Sequence, residues 1–142
     1  MDNFILNYEP TPDPIDLKFL NAKIFEHNYL KIGEYRYEKI VFFIRDSNLN
    51  IVAGLYGYTG LGWLYVDVLW VEKELRFKGF GTRLMEAAEL ESIHRGCHDV
   101  YLYTYSFQEP AFYIKLGYQV FGHLDNFPDG HAKLFMKKVL SK

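Results

Sequence analysis

This sequence has a single cysteine, Cys97, so no intrachain disulfide can form, and no Cys/His cluster has the spacing of zinc ligands. Neither bridges nor a structural metal are expected, and a reducing cytoplasm suits such a chain. No stretch approaches the ~18 consecutive apolar residues that cross a bilayer, and Asp2 and Asn3 stand where a secretory signal would begin with basic residues. A soluble, unexported protein is expected. Charge of one sign is also missing: 16 Lys+Arg against 18 Asp+Glu give a formal charge of -2. That excludes the global basic footprint used to hold nucleic acid or an anionic membrane, and it favours a small partner. Internal repeats, low-complexity tracts and linkers are absent too, and 142 residues is the usual size of one compact domain spanning 1–142.

Aromatic residues are abundant. Twelve Tyr, twelve Phe and two Trp make up 18% of the chain, which excludes disorder and predicts a dense core, with part of the surplus left to line a site.

Along the chain, Asn3 to Tyr8 alternates weakly and reads as a short strand closed by Pro10, Pro12 and Pro14. A helix is predicted from Pro14 to about Ile32, with Asp13 as N-cap and Gly33 as its stop. Lys39 to Arg45 and Ile51 to Tyr58 read as a hairpin around Asp46, Ser47 and Asn48. Trp63 to Val71, almost wholly aromatic or β-branched, reads as the central strand, with the carboxylate of Asp67 in its middle. A second helix follows from about Phe80 to Arg95, ended by Gly96, with Leu84, Met85, Ala88 and Ser92 on its buried face. Val100 to Tyr105 is then a strand, Pro110 to Leu116 a short helix, and Tyr118 to Gly122 and Ala132 to Val139 the last strands.

Between the central strand and the second helix lies Arg76-Phe77-Lys78-Gly79-Phe80-Gly81-Thr82. A glycine-bearing turn of free backbone N–H groups running into a helix N-terminus is a receptor for phosphate oxygens. A P-loop would need a Gly-Lys-Ser/Thr ending, and a dinucleotide fingerprint would need glycine where this chain has Leu84. Neither fits, and by itself the segment is equally a plain tight turn.

A second segment decides between these readings. Phe112-Tyr113-Ile114-Lys115-Leu116-Gly117-Tyr118 stands about thirty residues downstream, after the next strand. Together with Arg76-x-x-Gly79-x-Gly81 it resembles the GNAT superfamily of acyl-CoA N-acyltransferases, from about Tyr65 to Leu140. Gln108 to Gly122 and Pro128-x-Gly130-His131 are similar to a common bacterial branch of that family.

The resemblance implies an α/β (α+β) fold, a twisted, mixed, mostly antiparallel sheet of six to seven strands flanked by helices. It also implies acetyl transfer from acetyl-CoA to a primary amine, by direct attack in a ternary complex. The coenzyme pyrophosphate would rest on the amides of Lys78, Gly79, Phe80, Gly81 and Thr82, with Arg76 beside them. The pantetheine arm would enter a wedge where two parallel strands splay apart and pair with backbone groups near Leu69 and Val71. Tyr113 matches the family's general acid. Asp67, on the strand where histone-acetylating relatives carry a base carboxylate two residues earlier, is a candidate for binding or deprotonating the amine; Tyr65, Leu69 and Val71 are expected to share its face. Ser106 stands where many relatives have an asparagine that contacts the arm, and Gln108 is the substitute.

Cys97 reads as a buried thiol, and His131 as the one histidine near the acceptor side. A noncatalytic acyl-CoA-binding or regulatory module, with Tyr113 only packing, is the rival reading. Small-molecule and peptide amines both answer to the same chemistry, because acceptor pockets are expected from variable segments, here Asn21 to Lys39 and Leu124 to Gly130. An exposed sheet edge with so many aromatic residues leaves a homodimer open.

Overall fold

A computed structural model describes residues 3–140. The chain falls into two compact units divided between Tyr35 and Arg36. In the first, Asn3 to Tyr8 is not the expected strand: Asn3 lies in a turn, and Phe4 to Tyr8 join no ladder. Among the described residues the first unit holds no strand at all, so β-propensity there has no partner with which to express itself. The helix α1 (Pro14–Ile32) forms as read. The Asp13 carboxylate accepts from Ile15 N at 2.9 Å, and Gly33, at φ 83°, donates its N–H to Tyr29 O at 2.9 Å.

The second unit is a six-stranded sheet with helices α2 (Phe80–His94) and α3 (Pro110–Lys115). Its strands are β1 (Glu38–Arg45), β2 (Ile51–Gly60), β3 (Trp63–Val71), β4 (Asp99–Tyr105), β5 (Gln119–Asp125) and β6 (Ala132–Val139), in the order β1-β2-β3-β4-β6-β5. Every neighbouring pair is antiparallel except β3 and β4. That parallel pair is what a β3–α2–β4 crossover produces. Among the described residues no helix is long and apolar enough to cross a membrane.

The buried face of α2 is the one read from sequence: Leu84, Met85, Ala88 and Ser92. It packs on the sheet side carrying Ile40, Leu55, Leu64, Val66, Val100, Leu102 and Met136. Each of these aliphatic side chains contributes about 1.5–3 kcal/mol by leaving water. Ser92 is tolerated there because its hydroxyl donates to Ala88 O at 2.7 Å. Cys97 is buried as expected, and burial pushes its thiol pKa up, which suits packing rather than nucleophilic chemistry.

Candidate acyl-coenzyme and acceptor site

Strand β3 changes character halfway along its length. It pairs with β4 only from Trp63 to Val66, against Asp99 to Leu102, and beyond that the two strands part. On its other edge Glu72 N donates to Val52 O at 2.8 Å, and the register places Gly54 opposite Trp70. Antiparallel alternation makes Gly54–Trp70 and Tyr56–Val68 the bonded pairs, so the N–H and C=O of Leu69 and Val71 turn away from β2 and face the opening. A wedge results whose β3 edge has no neighbouring strand, although the Val71 carbonyl on it accepts from Arg76 Nε, and these are the two residues expected to line it.

Asp67 is the cause of a second feature, which corrects the sequence reading. The ladder steps from Tyr56↔Val68 to Gly57↔Val66, leaving Asp67 as the extra residue of a β-bulge. The bulge resets the alternation, so Leu69 and Val71 return to the core side with Leu64 and Val66 instead of sharing a face with Tyr65 and Asp67. Opposite the bulge, Gly57 is required: a Cβ there would collide with the carbonyl oxygen of Tyr65. Asp67 is half-buried and makes no hydrogen bond or ion pair among the described residues. Burial chiefly, and then the Asp67 charge, push the pKa of Tyr65 up, and its ring stacks with that of Tyr103, centroids 6.5 Å apart.

The glycine turn closes against the same end of β3. Gly79 is in the left-handed region at φ 88° with open space around it, so backbone conformation is what asks for glycine. Gly81 is different. A Cβ there would meet the ring of Phe112 at 3.1 Å and Val71 Cγ2 at 3.9 Å, so close approach of α3 and β3 requires it. No side chain caps α2, and its first hydrogen bond runs from Arg83 N to Gly79 O at 3.0 Å. The N–H groups of Phe80, Gly81 and Thr82 are therefore without helical partners and point out of the helix end. Arg76 Nε donates to Val71 O at 3.1 Å, tying the turn to the strand; Lys78 is exposed.

Tyr113 follows Phe112 in α3, half-buried, with its ring edge-on to Phe112 at 5.0 Å and to Tyr118 at 6.0 Å. Burial pushes its pKa up to about 12, and its hydroxyl has no hydrogen-bond partner among the described residues. It is a protonated donor at every physiological pH. The helix is held from behind: Tyr118 OH donates to Glu89 Oε2 at 2.6 Å, and Lys138 Nζ lies 3.0 Å from Glu89 Oε1.

Gln108 and Ser106 are already engaged. Gln108 Oε1 accepts from Thr104 Oγ1 at 2.9 Å and Tyr105 N at 3.1 Å, and Ser106 Oγ accepts from Ala132 N at 2.9 Å. Both finish the end of β4, so the carboxamide nitrogen is what Gln108 has to offer a ligand. His131 lies edge-on to Phe107 at 5.1 Å.

One part of the site was not read from sequence. On the sheet face opposite α2, a cleft of about 700 Å³ is walled by Tyr58, Trp63, Tyr65, Tyr101 and Phe121, with Lys137 at its side. Its rings come from four different strands and, with Tyr37, from the chain just before β1, so no sequence window contains them; the aromatic surplus hinted at it, and Tyr37 alone comes from the segments expected to build the acceptor pocket.

A motif-bearing turn beside a one-sided strand edge, with the half-buried Tyr113 nearby, is the arrangement of an acyl-coenzyme-dependent transferase. The family model of the GNAT acetyltransferase domain matches residues 38–120, more than half of the chain. The chain belongs to the GNAT acetyltransferase family, whose co-substrate is acetyl-CoA. It is 28% identical over 136 residues to a curated acetyltransferase of Agrobacterium fabrum, covering 96% of this chain and 98% of the relative. It is 34% identical over 92 residues to the blasticidin-S acetyltransferase of Streptomyces morookaense, covering 64% of this chain and 68% of the relative. The crystal structure of an acetyltransferase from Bacillus cereus superposes with a TM-score of 0.85 at 27% identity, covering 94% of this chain and 98% of that one.

Proposed function

We propose that this protein transfers the acetyl group of acetyl-CoA to a primary amine by direct attack in a ternary complex, residues 1–142 acting as one cytoplasmic acetyltransferase domain. The observation that carries the proposal is the wedge: two strand residues, Leu69 and Val71, whose backbone groups face an opening bordered by the glycine turn and α3. The amides of Lys78 to Thr82, with Arg76 holding the turn in place, bind the pyrophosphate. Leu69 and Val71 bond the pantetheine amides as a neighbouring strand would, and one of their N–H groups holds the oxyanion that develops on the thioester carbonyl. Gln108 contributes its carboxamide nitrogen to the arm.

The amine must be neutral to attack, and with an ordinary pKa near ~10 it arrives protonated. Asp67, without a hydrogen-bond or ion-pair partner among the described residues, takes that proton or binds the ammonium before it is lost to water. The amine nitrogen then bonds to the carbonyl carbon and sheds one proton to solvent, the C–S bond breaks, and Tyr113 gives its proton to the departing sulfur. Solvent returns a proton to Tyr113, leaving an amide and free coenzyme. The named substrate of the Streptomyces relative favours a small-molecule acceptor over a protein.

The test is release of free thiol from acetyl-CoA with a panel of amines. Amine-dependent release that falls at least about tenfold in Tyr113→Phe supports transfer. Tight coenzyme binding with no release on any amine means that the noncatalytic module is the correct reading.

A further inference from the structure

We infer that the aromatic cleft is the acceptor's binding site and that it takes an amine whose body is a flat ring carrying one negative group, a carboxylate or a phosphate. The inference rests on the acetyl-transfer reading and adds the acceptor's chemistry to it.

The position comes first. Tyr65 and Tyr101 wall the cleft at the last paired rungs of β3 and β4, where Tyr65 pairs with Tyr101 just before the strands part. The Tyr65 ring in turn stacks with Tyr103 on the diverging part of β4, centroids 6.5 Å apart, and Tyr65 lies within the field of Asp67. A ligand in the cleft therefore has its inner end at the mouth of the wedge.

Shape and surface come next. The rings of Tyr65 and Tyr101 lie 31° from parallel with centroids 4.8 Å apart, a two-ring aromatic floor, and Trp63 stands edge-on to Tyr101 at 5.8 Å as its wall. Such a floor stacks planar groups at low cost in side-chain entropy. Aliphatic polyamines gain less from it.

Charge sets the remaining feature. A bare aromatic pocket would suit a cation, yet the one formally charged lining residue is Lys137, whose ammonium lies 5.5 Å from the Phe121 ring centroid. Four residues earlier on β6, Lys133 stands over Tyr103 at 3.8 Å and Phe127 at 4.9 Å. Neither lysine has a carboxylate partner among the described residues. Both lysines lie on β6, Lys137 opposite Tyr101, so the β6 side of the cleft repels a second cation and attracts an anion, while Asp67 on the β3 side attracts the ammonium. The two sides want opposite charges, with a ring between them.

The experiment uses full-length Trp70→Phe protein, so that Trp63 is the sole indole, and follows its fluorescence without acetyl-CoA. The probes are 4-(aminomethyl)benzoate against benzylamine for a carboxylate, O-phosphotyramine against tyramine for a phosphate, and 6-aminohexanoate as an anion without a ring. At least one anionic ring is expected to bind about tenfold more tightly than its uncharged-ring partner and than 6-aminohexanoate. Which pair shows the larger ratio identifies the anion. In the same background Lys137→Gln should bring that ratio to about twofold or less, while tyramine affinity stays within about twofold. Equal affinity within both pairs, tighter binding of benzylamine and tyramine, or a ratio unchanged in Lys137→Gln overturns the inference. Thiol release is measured separately: anion-selective binding with no release on any amine overturns acetyl transfer and leaves the ligand chemistry of the cleft standing.

Discussion

The first half of β3, Trp63 to Val66, is hydrogen-bonded along both edges; the second half, Asp67 to Val71, is bonded along one. Asp67 apart, composition does not separate them, since both are runs of aromatic and β-branched residues with one leucine each. The difference lies in a neighbour that leaves and in one extra residue. β4 diverges after Leu102, and the bulge at Asp67 turns the strand so that Leu69 and Val71 keep their side chains in the core while their peptide groups face the gap. A docking edge is thereby built without leaving apolar side chains unpacked. Elsewhere such an edge invites aggregation, and here it is bordered by a turn and a helix.

The most damaging way to break this comparison is Gly57→Ala. The added methyl overlaps the Tyr65 backbone at the bulge, and no rotamer change relieves it. Urea unfolding should show a loss of about 2–4 kcal/mol or a failure to fold. Gly122→Ala, where the new methyl meets nothing within 4 Å, should stay within about 0.5 kcal/mol of the parent.

Next in size is Tyr113→Phe, which leaves both halves of β3 intact and removes only the proton donor. Turnover should fall by about 100-fold with coenzyme affinity unchanged. The pH profile sharpens the point. Burial holds the Tyr113 hydroxyl at about 12, so its acid form should impose no falling limb on kcat below about pH 11. The same shift affects stability. The folded value lies above the unfolded value near ~10, so the native state keeps this proton more tightly. That contribution is complete below about pH 10 and is lost as pH rises through about 12, and Tyr113→Phe should flatten the alkaline part of the stability curve.

Gly79→Ala acts on the turn rather than the strand. A methyl fits sterically, but φ 88° costs an L-residue about 1–2 kcal/mol, so the melting temperature should drop and CoA affinity should fall about tenfold as the turn relaxes. The smallest effect belongs to Arg76→Gln, which loses the bond to Val71 O and should weaken CoA by about threefold or less, measured by calorimetry.

What the sequence made legible was local. Asp13, Gly33 and the Leu84, Met85, Ala88, Ser92 stripe mark α1 and α2 because caps and helical periodicity act within a few residues. The glycine turn and the Phe112–Tyr118 segment were readable for the same reason. Three things were not. The strand expected at Asn3 to Tyr8 depended on a partner that the first unit does not contain. The face of Leu69 and Val71 was misassigned because period-two reasoning assumes an unbroken ladder, although Gly57 within β2 was a signal of a bulge. The aromatic cleft draws single residues from distant strands, and only the assembled sheet brings them together.

Backbone amide shifts of isotope-labelled protein titrated with CoA test the wedge most directly. Leu69 and Val71, with Gly79 to Thr82, should move together, while Val68 and Trp70, whose N–H groups are spent on β2, should stay nearly still. Saturable CoA binding that leaves Leu69 and Val71 unmoved, or no binding at all, would contradict the account.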